Sequence, residues 1–129
     1  MPPYLIHAQL MSGGFVLQIA GVLIVMRMRA QRWWFTTHRL LGMLGAASMV
    51  LGWTAAVFML GEGGDSPAGP HVYLGIAAVS LGILTIGLGW LQLRIKRKPM
   101  RIIHRWTGRA TVVIQALNIV LGLRLVGIL

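Results

Sequence analysis

Four histidines are the residues in this sequence best suited to chemistry: His7, His38, His71 and His104, spaced by 31, 33 and 33 residues. Imidazole ligates iron well, and two facing imidazoles complete the axial shell of a six-coordinate haem. Each histidine stands at or near the start of a long apolar stretch. An ionisable side chain there is costly unless it has a buried partner or a task. Two other readings fit the same residues: interfacial histidines solvated by lipid headgroups, and ligands of zinc or copper. No carboxylate lies within an apolar stretch to help bind such a cation. The chain has no cysteine, which excludes disulfides, iron–sulfur clusters and thiolate ligands.

The elements that must position these histidines are long and apolar. Of the 129 residues, 57% are hydrophobic and 11% charged; a soluble domain is usually about half apolar and about a quarter charged. The apolar stretches are Tyr4–Met26, His38–Leu60, His71–Leu93 and about Ile102–Ile128. Each is long enough to cross a hydrocarbon core of about 30 Å as a helix. They are too long for strands and do not alternate with period two. The expected fold is an all-α integral membrane protein, an up-and-down four-helix bundle forming a single domain over residues 1–129 in contact with membrane lipid. The N-terminus lacks the basic segment of a secretory signal, so the first apolar stretch is expected to stay in the mature protein.

Charge orients the spans. Eleven of the twelve Lys and Arg residues lie in or beside the connectors 27–37 and 94–101; Arg124 is the exception. The third connector, GEGGDSPAGP at residues 61–70, holds both acids, Glu62 and Asp65. The positive-inside rule places the two basic connectors in the cytoplasm, with the acidic one and both termini outside. Trp33, Trp34, Trp90 and Trp106 then mark the inner interface, and Tyr4 and Tyr73 the outer one. A net charge of +10 raises the question of nucleic acid. Membrane topology already accounts for these cations, and no nucleic-acid partner is expected.

In such a topology His7 and His71 share the outer level, and His38 and His104 the inner one. Taking every third or fourth residue from each histidine gives four helical stripes. They read His7-Met11-Gly14-Gln18-Gly21-Val25, His38-Gly42-Gly45-Met49-Gly52, His71-Gly75-Ala78-Gly82-Thr85-Gly89 and His104-Gly108-Thr111-Gln115-Asn118-Gly122. Gly42, Gly75 and Gly108, one turn after a histidine, would clear room for a flat macrocycle. Small residues also let membrane helices pack closely, and both readings stand at this stage. Arg39, Arg105 and Arg109 on the inner side and Arg124 on the outer are candidates for meeting haem propionates. Their other reading is topology and snorkelling.

At these residues the chain resembles the cytochrome b561 family, in particular the b561/ferric-reductase transmembrane core. The matching stretches are HAQLM at His7, WFTTHRLLG at His38, HVYLG at His71 and HRWTGR at His104. The run Asn118-Ile119 followed by Leu121-Gly122-Leu123 fits as well. The resemblance implies two bis-histidine haem b groups, one held by His7 and His71 and the other by His38 and His104. Family members commonly carry a further helix on each side of this core, so the family's usual donor, ascorbate, does not transfer with it. Ferric reductases of the oxidase type place two histidines on one helix, a pattern this chain lacks.

The function expected is transmembrane electron transfer between two haems, with a small-molecule or protein donor and acceptor: ascorbate, a quinol or a redox protein. A homodimer or membership of a larger redox complex is compatible with the small size. The alternatives are a quinol-oxidising or membrane-anchor haem subunit, and a cofactor-free transporter or structural protein.

Overall fold

A computed structural model describes residues 3–61 and 69–129. The acids Glu62 and Asp65 of the third connector lie outside the described residues. These residues are all-α, with no strand among them. Four helices are long and apolar enough to cross a membrane: α1 (Pro3–Arg27), α2 (Trp34–Gly61), α3 (Pro70–Ile95) and α4 (Lys98–Leu125). The expected helical membrane class is the observed one. The chain divides into two compact units, Met1–Ser66 and Pro67–Leu129. Each contains one antiparallel helical hairpin.

The helix ends differ from the expected ones by up to four residues. Hydropathy stops where Arg and Thr begin, whereas backbone hydrogen bonding continues past them, so α2 starts ahead of His38 at Trp34. Helix α4 starts at Lys98 because Pro99 fits the first turn, where its missing N–H is not needed. Its other end falls short of Ile128 because Gly127 is left-handed (φ 70°). The Gly127 N–H donates to the Arg124 carbonyl at 3.1 Å and the Ile128 N–H to that of Leu123 at 3.0 Å. That paired closure is a Schellman cap.

In the first hairpin the histidine-headed stripes of α1 and α2 face each other. Met11, Gly14, Gly21, Gly45, Ala46, Met49 and Gly52 are buried along this contact. A Cβ built at Gly14 would lie 2.8 Å from the Gly45 carbonyl oxygen. One at Gly45 would lie 2.8 Å from Gln18 Cγ and 2.9 Å from the Gly14 oxygen. The two backbones therefore touch here, which only glycine allows. Next to the crossing, Gln18 Nε2 donates to Met49 Sδ, and Ser48 Oγ donates to the Leu10 carbonyl at 2.7 Å.

The second hairpin buries a more polar seam. Ala78, Val79 and Gly82 of α3 are buried, as are Thr111, Gln115 and Asn118 of α4. Thr85 and Thr111 meet at 3.3 Å between their hydroxyls, while each also bonds back to a carbonyl one turn earlier in its own helix. Outside these seams both hairpins expose large apolar side chains, among them Val16, Phe58, Ile83 and Val113. Surfaces of this kind require lipid or further apolar partners.

The glycine crossing sets a stability test. Gly45→Val is expected to destabilise the protein by about 1–3 kcal/mol through overpacking, measured by denaturant unfolding followed by circular dichroism in detergent. Gly13→Ala, where a Cβ meets nothing within 4 Å, should be close to neutral.

Candidate functional site

The four imidazoles share one arrangement. His7 Nδ1 lies 2.8 Å from the carbonyl of Gly52, and His38 Nδ1 lies 3.1 Å from that of Gly21. His71 Nδ1 lies 3.0 Å from the Asn118 carbonyl, and His104 Nδ1 lies 2.9 Å from the Thr85 carbonyl. A carbonyl oxygen only accepts, so each Nδ1 carries the proton and donates it. In the neutral ring the lone pair then belongs to Nε2, the tautomer that a metal-ligating histidine needs. All four rings are half-buried.

The acceptors obey a single register. Within each hairpin, a histidine bonds the carbonyl fourteen positions after the histidine of the facing helix: 7 to 21, 38 to 52, 71 to 85 and 104 to 118. Fourteen residues are close to four turns, so acceptor and histidine share one helical stripe. The same count separates the two histidine levels of a hairpin by about 21 Å along the helix axis, at 1.5 Å per residue. One histidine therefore stands near the connector end of each hairpin and the other near its open end.

Two more glycines seat the rings of the second hairpin. A Cβ at Gly122 would lie 2.9 Å from His71 Cε1, and one at Gly89 would lie 3.1 Å from His104 Cε1. Both stand one turn beyond the acceptor carbonyl on the same helix. They read in the sequence as ordinary stripe members; their use depends on which helix faces which. At the corresponding position α1 has Val25 and α2 has Ala56.

The other residues singled out from the sequence take varied places. Gly75 packs under the Asn118 amide, with a Cβ there 3.2 Å from Nδ2, and Gly108 under Thr85, 3.5 Å from its Cγ2. Gly42 faces open space. Arg39 and Arg105, each following a histidine, are exposed, as are Arg109 and Arg124. Arg109 stacks over Trp106 at 5.1 Å. Arg124 lies in the last turn of α4, where a cation complements the helix dipole. Asn118 is 3% exposed, and its Oδ1 has no hydrogen-bond partner among the described residues. Leaving a buried acceptor unmet costs about 1–3 kcal/mol.

These features define a class: a helical membrane protein with one tautomer-fixed histidine per helix, at two depths in each hairpin. No cluster of three or more His, Cys, Asp or Glu residues suited to a metal ion occurs among the described residues. No protein-family model, curated protein or solved structure matches the chain.

The ring geometry is open to imidazole nitrogen NMR in detergent. All four histidines should show the Nδ1-protonated tautomer. Thr85→Val should leave His104 unchanged, because the acceptor is main chain. Gly122→Ala should displace the His71 signals and spare His104, and Gly89→Ala should do the reverse.

Proposed function

We propose that this protein is a di-haem b electron-transfer protein of the b561 type, carrying electrons across a membrane. The observation that carries this reading is the set of four Nδ1-to-carbonyl bonds. With Nδ1 so engaged, Nε2 is the nitrogen that would ligate iron, on one ring near each end of each hairpin. Two six-coordinate irons need four such ligands, and the alternating span directions expected from the charge pattern would bring one from each hairpin to each level. His7 with His71 would hold the outer haem, and His38 with His104 the inner. The motif resemblance described above supports the same pairing.

The residues fit the group. Imidazole is a strong-field ligand for haem iron, and the main-chain bond to Nδ1 raises its basicity and fixes its plane. Bis-imidazole haem supplies reversible one-electron chemistry with no open coordination position. The chain's own contribution is to hold the rings, exclude water from between them and supply counter-charge. Arg39, Arg105 and Arg109 would meet inner propionates and Arg124 an outer one. Sidedness follows the positive-inside rule, with both basic connectors cytoplasmic and the termini outside. Donor and acceptor would be a small molecule such as ascorbate or a quinol, or a redox protein.

The test is haem stoichiometry in the purified full chain. Two low-spin haems b per chain are expected in a reduced-minus-oxidised spectrum. His7→Ala and His71→Ala should remove the same haem, and His38→Ala and His104→Ala the other. Protein that folds without haem bands when supplied with haem would overturn the reading, as would loss of one common band in His7→Ala and His38→Ala. Reduction by quinol but not ascorbate would assign the protein to quinol oxidation.

A further inference from the structure

The α3–α4 hairpin has a strongly cationic end that the haem reading does not use. Arg94, Lys96, Arg97, Lys98 and Arg101 fall within eight residues of sequence, and all five are exposed. No acid occurs anywhere in residues 69–129. The turn is tight: Lys96 is left-handed (φ 51°, ψ 23°), its N–H donating to the Gln92 carbonyl at 3.0 Å, and α4 begins two residues later. Arg97 precedes α4 without a side-chain cap, and the first turn contains no acid. Lys98 and Arg101 therefore stand at the positive end of the helix dipole, where cations are disfavoured. Nothing in the hairpin neutralises this charge.

Two tryptophans indicate what does. Trp90 and Trp106, 55% and 62% exposed, flank the patch on α3 and α4. Arg94 lies over the Trp90 ring at 5.9 Å and Arg109 over Trp106 at 5.1 Å. Exposed tryptophan at the end of a membrane helix settles at the headgroup level. The cations just beyond it then lie at the depth of the lipid phosphates. We infer that this turn is a binding site for anionic phospholipid headgroups, the five cations holding phosphate while the indoles bed in the interface. A nucleic acid or acidic protein would need the patch to stand clear in water, which the flanking indoles oppose.

The experiment uses the full chain in detergent, with native mass spectrometry counting retained lipid from equal mixtures of phosphatidylglycerol and phosphatidylcholine. Preferential retention of phosphatidylglycerol is expected. It should fall by about fivefold for each cation removed in the series Lys96→Gln, Arg97→Gln, Lys98→Gln and Arg101→Gln. The charge-retaining pair Lys96→Arg and Lys98→Arg should keep it, with circular dichroism confirming helix content throughout. Inorganic phosphate should not displace the lipid. Equal retention of both lipids, an unchanged preference in the fourfold Gln variant, or displacement by inorganic phosphate or a short RNA would each overturn the inference. None of these outcomes depends on haem.

Discussion

Inside a bilayer there is no water to accept an imidazole proton, and that shortage organises this protein. Every buried N–H must find its acceptor within the chain. Helical carbonyls already accept one bond from the turn ahead, but each keeps a second lone pair. The four histidines use that spare capacity on the facing helix. Because the acceptor is backbone, the facing helix must come close, and the small residues along both seams make the approach possible. Ring orientation and helix packing thus have one cause.

The two hairpins solve the same problem with different fillings. In the first, the seam between the histidine levels is glycine and sulfur: Gly14 on Gly45, Met11 beneath Gly52, and Gln18 on Met49. In the second it is hydroxyl and amide: Thr85, Thr111, Gln115 and Asn118. Thioethers are soft and adapt to irregular gaps, whereas buried amides and hydroxyls demand directional partners. The first hairpin is therefore the more tolerant of repacking at its methionines, though not at the Gly14–Gly45 crossing, and the second is exacting in its polar partners. The orphan Oδ1 of Asn118 belongs to that second, polar seam.

Much of this was legible in advance. The lengths of the apolar runs gave four helices, and three-to-four spacing from each histidine gave four stripes that line the seams, Gly42 excepted. Gly21, Gly52, Thr85 and Asn118, whose carbonyls take the imidazole protons, were already members of those stripes. Their role was hidden because a sequence displays side chains, and the acceptors are main-chain atoms. The seating of His71 and His104 on Gly122 and Gly89 was hidden too, since it depends on which helices pair. The helix ends were missed by a few residues, because hydropathy reports where lipid ends and hydrogen bonding reports where the helix does. Gly127 carried the stop signal for α4, although its hydropathy resembles that of its neighbours.

The shared fourteen-residue register has a consequence for how such a chain can change. Each helix carries its own histidine and the acceptor for the other, so the interval between them is a ruler fixed at both marks. Inserting one residue between His7 and Gly21 would turn one mark against the other by about 100°. The bond at one end of the hairpin would then be lost whichever end stayed in place. The spacing within the four histidine-to-acceptor intervals is thus fixed by the bonds at both ends, and an inserted residue keeps both bonds only where it falls outside those intervals.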